Sequence, residues 1–444
     1  MFQTFARRME RQKNMRFLGI GKYNQLGALY LGLKESGHEV RVVVEFSQAR
    51  DILKGMVPQI QDRARGLQWA RKTESIVLFE SASDGKLQDR LRREGVGVVG
   101  GSAYGDRLES DRQFGQNVLR EIGLPTASTF HFDSYDRAIS FVRRRPRRYV
   151  YKNNGSGNES TLNYVGEWKD GGDLIARLQF YRRHPGTRAA PDFILMEFIE
   201  GVEAGIGAYF NGEDFLKPAL LDWEHKRFFP GDLGELTGEM GTVVTYRGAE
   251  TLFEKTLKGL RPHLKRGGYC GYINLNMILN SRGIWPLEFT SRFGYPGFAI
   301  CEALHEEGWD KILTRMTKQD GLTIKTSPGF AVGVVLTVPP FPYWQGYERL
   351  SHGMPISFAK NLKPGERRHL HWGEISKKRG KLVTGGTDGY VMVVTGTGPN
   401  VPAARHKAYE LIQKVAIPNM RYRNDIGLRV PEDRRRMKSW GYLK

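Results

Sequence analysis

The sequence is poor in cysteine and has no long apolar run. Its 444 residues include only two cysteines, Cys270 and Cys301, and no run approaches the roughly 18 apolar residues that cross a bilayer. Two cysteines cannot build the disulfide framework of a small secreted domain, so we expect a protein of the reducing cytoplasm without membrane association. Hydrophobic residues make up 40% of the chain, which excludes wholesale disorder. At roughly 150 residues per domain, the length predicts about three domains.

Acidic residues are outnumbered by basic ones, 48 to 68, which gives a formal net charge of +20. This excess favours an anionic partner, but by itself it does not distinguish a nucleic acid from an anionic metabolite or from simple solubility. The run Arg143–Arg148 and the basic ends of the chain favour a nucleic acid. Since no zinc knuckle, helix-turn-helix or aromatic ribonucleoprotein motif is visible, nucleic-acid binding is kept as an alternative that the sequence does not favour.

Both ends of the chain are basic and lie outside the regular pattern. Residues 1–14 lack the apolar core of a signal peptide, and the first strand begins only at Met15. We expect these residues to be a basic extension, with either Met1 or Met15 as the true start. Residues 431–444 are expected to form a short, solvated basic tail.

Strand and helix patterns alternate over residues 15–108. Short β-branched runs occupy residues 16–20, 39–45, 75–80 and 96–99. Because amphipathic helical segments separate them, the pattern predicts an N-terminal α/β domain with a parallel sheet and crossover helices. The turn Gly19–Gln25 loosely resembles a phosphate loop, but it lacks the third glycine and is only a weak indication of a dinucleotide.

The pattern changes after residue 108. A predicted helix over 109–122 is followed by strands joined by turn signals such as Asn211-Gly212, which predicts an α+β region with antiparallel pairs over 109–325. Residues 326–430 are strand-rich and end in a helix near 403–415. The predicted fold class is therefore α/β and α+β, multidomain, with an N-terminal parallel α/β domain and a C-terminal strand-rich α+β domain.

Two strand ends carry groups suited to a nucleotide. Lys152 ends a strand and runs into a glycine-rich loop at 153–157, where backbone N–H groups and the lysine charge could bind phosphate oxygens. The apolar strand at 196–203 ends in spaced carboxylates, so Glu203 could meet ribose hydroxyls while backbone groups meet a base edge. The alternatives are a plain surface loop and an ordinary strand that leaves the core.

A long polar loop, residues 224–241, is rich in glycine and charge. Loops of this length are uncommon inside compact domains unless they are functional. Lys226 and Arg227 offer contacts to anions, and Gly238 and Gly241 let the backbone approach a ligand. A plain surface loop would seldom have this density of glycine and charge, so the pattern favours a functional loop.

A further strand end combines a carboxylate with an arginine. Period-two alternation places Glu288, Thr290 and Arg292 on one face of the strand. Glu288 could bind Mg²⁺, with a neutral oxygen from Asn276 or Thr290. Arg292 could hold a phosphate or an acyl phosphate. The alternative is a structural ion pair between Glu288 and Arg292.

The order of these four stretches resembles an ATP-grasp arrangement, and the closer resemblance is to the phosphoribosylamine–glycine ligase family. Residues 225–241 are similar to that family's His-Lys-Arg, Asp and Thr-Gly-Gly-Met-Gly loop. Residues 288–294 are similar to its Glu-Phe-Asn-x-Arg-Phe-Gly pattern. Residues 331–336 and 422–427 resemble its C-terminal domain, so the resemblance covers about residues 15–429 and implies an ATP-grasp fold.

The resemblance implies an ATP-dependent ligase that forms an amide through an acyl phosphate, with a mobile ATP lid over about 125–191. Its substrates would be an amino acid and an anionic phosphorylated amine, and its cofactors ATP and Mg²⁺, with Mn²⁺ as a substitute. The sequence leaves monomer and dimer open. The implied ATP-binding residues are Arg112, Lys152, Glu197, Phe198, Ile199 and Glu203. The implied substrate-binding residues are His225, Arg227, Asp232, Thr237, Gly238 and Gly241. The implied catalytic residues are Lys226 and Arg292, and the implied metal ligands are Glu288, Thr290 and Asn276.

Several positions depart from the family pattern. Thr290 stands in place of the usual asparagine metal ligand, Arg112 in place of a lysine, and Glu239 in place of a glycine. The loops at 22–26 and 79–81 also differ from those that recognise phosphoribosylamine in the family. We therefore expect ATP use and ligase chemistry, with phosphoribosylamine and glycine as first-choice substrates. The alternatives are a ligase for a different, modified-nucleotide amine and a nucleic-acid-binding relative that has lost ligase activity.

Overall fold

The computed structural model describes residues 14–153, 163–184 and 192–444. Three parts of the predictions therefore lie wholly or partly outside the described residues. These are the basic extension up to residue 13, the glycine-rich loop beyond Asn153, and two segments of the predicted lid.

A four-stranded parallel sheet with crossover helices forms the N-terminal part, as predicted. The strands are β1 (Arg16–Gly21), β2 (Glu39–Val44), β3 (Ile76–Phe79) and β4 (Val98–Val99). The helices are α1 (Gly27–Glu35), α2 (Arg63–Thr73) and α3 (Gly85–Arg93). The strand order is β2-β1-β3-β4. Strands β3 and β4 are wholly apolar, and β1 and β2 carry charge only at Arg16, Glu39 and Arg41, because helices cover both faces of a parallel sheet.

A buried carboxylate explains the glycine-rich first turn. Glu80 accepts hydrogen bonds from the N–H groups of Gln25 and Leu26 at the start of α1, at 2.9 and 3.3 Å. A Cβ at Gly21 would lie 1.9 Å from an oxygen of Glu80. Because Glu80 takes the place that a phosphate would occupy at a helix N-terminus, the likeness to a phosphate loop has a structural cause.

Two helices, α4 (Ala103–Ser110) and α5 (Arg112–Glu121), replace the single helix predicted over 109–122. Asp111 separates them with an extended backbone, φ −101° and ψ 92°. Its side chain accepts a hydrogen bond from the N–H of Phe114 at 3.0 Å and so caps α5. Arg112 is therefore the first residue of a helix, which fixes its position.

A second four-stranded sheet occupies the region predicted as the lid. Its strands are β5 (Thr129–Phe132), β6 (Tyr149–Asn153), β7 (Tyr164–Val165) and β8 (Phe193–Glu197), and its helices are α6 (Tyr135–Arg144) and α7 (Gly172–Arg183). The strand order is β5-β8-β6-β7. Tyr149, Leu178 and Phe193 belong to a hydrophobic cluster that is separate from the main core, so this region has a core of its own.

The remaining elements centre on one large sheet. Residues 202–290 form β9 (Val202–Phe210), β10 (Leu220–Glu224), β11 (Arg227–Phe229), β12 (Leu233–Leu236), β13 (Gly241–Thr245), α8 (Glu250–Lys255), α9 (Leu257–Arg266), β14 (Gly271–Asn280) and β15 (Gly283–Thr290). The following residues form α10 (Gly297–Glu302), α11 (Trp309–Lys318), β16 (Phe330–Thr337), α12 (Tyr347–Leu350), β17 (Ser357–Phe358), β18 (Leu370–Trp372), β19 (Ile375–Lys378), β20 (Lys381–Thr384), β21 (Tyr390–Gly398), α13 (Val401–Ile412), β22 (Val415–Ala416) and α14 (Val430–Ser439). Among the described helices, none is both long and apolar enough to cross a bilayer.

Eight of these strands form a single antiparallel sheet in the order β15-β14-β9-β10-β13-β16-β21-β18. The pair β13 and β16 joins strands on the two sides of the predicted boundary at residue 325, with Gly241 opposite Val334. The two regions on either side of that boundary therefore share one sheet and one hydrophobic core.

The prediction of a solvated C-terminal tail is wrong. Residues 430–439 form α14, in which Val430 and Met437 are fully buried. The hydroxyl of Tyr442 donates to the carbonyl oxygen of Asn280 at 2.9 Å. The basic residues of this segment occupy the exposed face of an amphipathic helix, which composition alone could not reveal.

Replacing Met437 by alanine is expected to lower the free energy of unfolding by about 2–5 kcal/mol, because it leaves a cavity under α14. Urea unfolding followed by circular dichroism measures this change. The exposed neighbour Lys438, replaced by alanine, is the control and should change stability by less than about 0.5 kcal/mol. Equal unfolding midpoints for the two variants would show that α14 does not contribute to the core.

Candidate active site

A lysine in the 224–241 loop is surrounded by three carboxylates. The Nζ of Lys226 lies 3.2 Å from Oε1 of Glu203 and 3.2 Å from Oε2 of Glu224. It also lies 3.3 Å from Oε1 of Glu288. Asn276 donates through Nδ2 to Glu203 at 3.0 Å and to Glu224 at 3.3 Å. We refer to these five residues as the Lys226 cluster.

Strand register brings the cluster together. In β14, Asn276 lies opposite Gly205 of β9 on one side and opposite Glu288 of β15 on the other. Glu203 lies near the start of β9 and Glu224 at the end of β10, and these two strands are antiparallel neighbours. One strand of an antiparallel pair starts where its neighbour ends, so the carboxylates of Glu203 and Glu224 meet at this edge of the sheet.

Two further cations act on Glu288. Lys226, with Lys152 at the end of β6 and Arg112 at the start of α5, lowers the pKa of the Glu288 carboxyl to about 2. Burial lowers the pKa of Lys152 to about 8, and the charges of Arg112 and Lys226 act in the same direction, against the attraction of Glu288. Lys152, Glu203 and Glu288 come from three separate stretches of the sequence, and the structure places them in one electrostatically connected site.

A cavity of about 260 Å³ lies where β8 ends, and the predicted residues Glu197, Phe198 and Ile199 line it. Its other lining residues are Thr126, Ala127, Ser128, Arg147, Arg148, Arg282 and Trp285. The guanidinium of Arg148 lies 3.6 Å from the ring centre of Phe198, and Arg147 donates to Glu197 at 2.6 Å. Flat aromatic and guanidinium surfaces beside a strand end suit a planar heterocycle.

The C-terminal segment holds the 224–241 loop in place. Arg423, which is 1% exposed, donates to the carbonyl oxygen of Arg227 at 3.0 Å and to Asp232 at 2.8 Å. It also pairs with Asp425 at 2.7 Å, while Arg429 donates to Asp232 at 3.0 Å. Asp232 and the backbone of Arg227 therefore anchor the loop, and their predicted contact with a substrate remains a prediction.

His225 and Thr237 make contacts inside the protein. Nε2 of His225 accepts from the N–H of Gly427 at 3.2 Å, and burial with the nearby Arg429 lowers the pKa of this histidine to about 3, so it is neutral. Thr237 donates through Oγ1 to the carbonyl oxygen of Lys226 at 2.8 Å. The structure thus gives both side chains a role in positioning the loop, and their predicted contact with a substrate remains a prediction.

The two predicted glycines of this loop differ in their surroundings. A Cβ at Gly241 would lie 2.5 Å from the carbonyl oxygen of Gly333, and the φ of Gly241 is +154°. This glycine is therefore required by the close approach of β16. Gly238 is exposed and has open space where a Cβ would stand, so it leaves room for a ligand to approach the backbone.

Arg292 makes its ion pair with Glu109, and the alternative pair with Glu288 is not formed. Its Nε lies 3.1 Å from Oε1 of Glu109. Arg292 also lines a pocket of about 210 Å³ together with Lys22, Tyr23, Gln25, Glu80 and Ser81. This pocket connects the end of β15 with the two N-terminal loops that depart from the family pattern.

Sequence reasoning missed Asp222 and assigned no role to Glu224. The two lie two residues apart on β10 and therefore share one face of the strand. Two carboxylates in an otherwise apolar strand were the available signal. Thr290, predicted as a metal ligand, lines a small cavity with these two residues and with Asn274.

Comparison with known proteins identifies relatives along almost the whole chain. The ATP-grasp (A) domain of phosphoribosylglycinamide synthetase matches residues 110–298, and the C domain of the same enzyme matches residues 331–429. These matches cover well over half of the chain.

Individual relatives and solved structures agree with these matches. Phosphoribosylamine–glycine ligase of Neisseria meningitidis serogroup B is 25% identical over 440 residues, which is 93% of this chain and 98% of the relative. The enzyme of the same name from Thermotoga maritima is 27% identical over 331 residues, 72% of this chain and 78% of the relative. The crystal structure of the Thermotoga maritima enzyme covers 93% of this chain and 100% of its own, with a TM-score of 0.71 and 22% identity. The biotin carboxylase subunit of pyruvate carboxylase, with a TM-score of 0.58, 13% identity and 92% of each chain covered, shares the fold.

Proposed function

The chain belongs to the phosphoribosylglycinamide synthetase family, and we propose that it joins glycine to phosphoribosylamine in an ATP-dependent reaction of purine biosynthesis. The carboxylate of glycine takes the γ-phosphoryl group of ATP, and the amine then displaces phosphate from the acyl phosphate to give the amide. The observation that carries this proposal is the convergence of Lys152, Arg112 and Lys226 on Glu288. Such a site offsets the negative charge of a phosphoryl group during its transfer, and the reaction then requires little proton transfer by side chains.

Each part of the site has a role in this proposal. The cavity at Glu197 to Ile199 takes the adenine, Glu203 meets the ribose, and Lys152 with Arg112 binds the phosphates. Lys226 stabilises the charge that develops on the transferred phosphoryl group, and Arg292 steadies the acyl phosphate from the side of the N-terminal pocket.

The oxygen donors of the cluster fit a divalent metal ion. The Glu288 side chain is 54% exposed and its low pKa keeps it ionised at neutral pH. Glu203 and Glu224 neutralise Lys226 without Glu288, so Glu288 is available for Mg²⁺ or Mn²⁺, with Asn276 and Thr290 as neutral oxygen donors. Glu288, Asn276 and Thr290 would hold such an ion there, and it would supply positive charge against the negative charge of the phosphates.

The remaining assignments follow from charge and burial. Both cysteines are free and buried, which agrees with the reducing cytoplasm that we propose as the location. In the basic run Arg143–Arg148, Arg147 pairs with Glu197 and Arg148 stacks on Phe198. Because these arginines serve the nucleotide cavity, no specific observation favours a nucleic acid as the partner.

The test is an assay of ADP release in which ATP, glycine and phosphoribosylamine are each omitted in turn. We expect ADP release to require all three and the amide product to form in equal amount. If the enzyme turned over a modified nucleotide amine and not phosphoribosylamine, the proposed amine substrate would be wrong and the proposed ligase reaction would stand. ADP release without any amide product would contradict a ligase.

The pH dependence of kcat/KM for ATP is expected to fall above about pH 8. Lys152 carries its charge below its pKa of about 8 and loses it above, so phosphate binding weakens about tenfold per pH unit on the alkaline side. Initial rates at low ATP concentration measure the profile. In Lys152→Arg the guanidinium stays charged and the decline should disappear. The same profile in both proteins would show that Lys152 does not set the pH dependence.

A further inference from the structure

A small cavity adjoins the Lys226 cluster, and three acidic side chains line it. Asp222 and Glu224 come from β10, and Glu239 comes from the loop that precedes β13. Thr242 also lines the cavity. Glu224 belongs to both the cavity and the Lys226 cluster, so the two are continuous. The volume of about 30 Å³ has room for one or two groups the size of a water molecule.

Three buried oxygens at this cavity lack a hydrogen-bond partner. They are Oδ1 of Asp222, Oε1 of Glu239 and Oγ1 of Thr242. The three residues are 4%, 6% and 2% exposed, respectively. A buried polar atom without a partner carries a free-energy cost, and folded proteins keep such atoms rarely and for a reason. Three acceptors around one small space suit a ligand group that donates three hydrogen bonds.

The acidic lining of the cavity favours a cation over an anion. Burial and the neighbouring Glu224 raise the pKa of Asp222 to about 8. Burial, with Glu224 and Asp222 nearby, raises the pKa of Glu239 as well. Asn274, which donates to Oδ2 of Asp222 at 2.6 Å, is neutral. With the cavity empty, these shifts favour the protonated carboxyls at neutral pH. A cation in the cavity would lower both pKa values and favour the charged carboxylates, whereas an anion would raise them further.

We propose that this cavity binds the ammonium group of the amino-acid substrate, with Asp222, Glu239 and Thr242 as the acceptors of its three N–H bonds. This inference rests on the proposed ligase function and assigns residues of this chain to the amino-acid substrate of that reaction. A primary ammonium group has three donors and one positive charge, which matches the three acceptors and the acidic lining. The cavity is too small for a nucleotide or a sugar.

The position of the cavity also suits the chemistry. Glu224 and Thr290 line it, and Glu224 contacts Lys226. In an α-amino acid a single carbon separates the ammonium and carboxylate groups, so anchoring the ammonium here directs the carboxylate toward the cluster assigned to phosphoryl transfer. Glu239 is one of the positions that depart from the family pattern, which makes this anchor a property of the present chain.

Calorimetric titration of the full-length enzyme with glycine and with glycolate tests the proposal. Glycolate has the same carboxylate but a hydroxyl in place of the ammonium. We expect the wild-type enzyme to bind glycine at least tenfold more tightly than glycolate. Asp222→Asn and Glu239→Gln keep side-chain size and remove the ability to become a carboxylate, and each should weaken glycine binding at least tenfold while leaving glycolate binding unchanged. Thr242→Val gives an independent check if Asp222→Asn fails to fold, and Glu250→Gln, at an exposed carboxylate of α8, is the control.

Three outcomes would overturn the assignment. These are unchanged glycine affinity in the variants, an equal loss of glycine and glycolate affinity, and no measurable binding of glycine to the wild-type enzyme. The titrations need neither ATP nor the amine, so they test the ammonium site independently of the reaction. An enzyme that binds glycine but releases no ADP would contradict the proposed reaction and leave the ammonium site in place. In steady-state assays the same variants should raise KM for glycine with little change in kcat.

Discussion

Replacing Glu288 by alanine is expected to lower the rate of ADP release about 10²–10³-fold while the protein still folds. The loss follows because Glu288 is the carboxylate assigned to the metal ion, and removing one group that stabilises transferring charge commonly costs 10²–10³-fold in kcat. The side chain is 54% exposed, so its removal leaves no cavity in the core. A coupled assay of ADP with saturating substrates measures the rate, and circular dichroism checks the fold.

The matched control for this experiment is Glu254→Ala, at an exposed carboxylate of α8 outside the cluster. Its activity should equal that of the wild type. If Glu288→Ala kept a rate within tenfold of the wild type, the metal assignment would be wrong. If it lost cooperative unfolding together with activity, Glu288 would be a structural residue.

Replacing Arg423 by methionine is expected to lower the free energy of unfolding by about 3–5 kcal/mol, the largest stability effect that we predict. Arg423 is buried, and its loss leaves Asp232 and Asp425 without their main cationic partner. The change also frees the carbonyl oxygen of Arg227, so the loop that carries Lys226 loses its anchor. We therefore expect weaker turnover as well as lower stability.

Urea unfolding of Arg423→Met, compared with Arg435→Met, checks this prediction. Arg435 has a side chain that is 77% exposed and pairs with a neighbour on the same helix, so its replacement should cost less than about 0.5 kcal/mol. An equal midpoint for the two variants would mean that the network around Arg423 does not hold the loop.

The sequence predicts strands at Lys152, Glu203 and Glu288, and the structure has a strand at each of them. A local pattern predicts a role for each of Lys152, Glu203 and Glu288, and their order along the chain predicts that they act together. What local pattern could not provide is register: Asn276 faces Gly205, which lies 71 positions earlier in the chain. Pairings over such distances depend on the packing of the whole sheet.

Where the structure departs from the sequence pattern, the reasons are physical. Period-two alternation predicts Arg292 on the same face as Glu288 and Thr290, but β15 ends at Thr290 and the alternation ends with it. Arg423 was not singled out because arginines are seldom fully buried, and its position is explained only by two aspartates and a carbonyl oxygen from other segments. The family resemblance implies a substrate contact for His225, which stays a prediction, and only the structure shows that this histidine is a buried, neutral acceptor for the N–H of Gly427.

The most direct test of the central claim follows one oxygen atom. Glycine labelled with ¹⁸O in its carboxylate is incubated with the enzyme, ATP and phosphoribosylamine, and the released phosphate is analysed by mass spectrometry. If a carboxylate oxygen attacks the γ-phosphorus and the amine then expels phosphate, each phosphate released carries one ¹⁸O from glycine. Unlabelled phosphate, released in step with ADP and amide, would contradict the acyl phosphate on which the account depends.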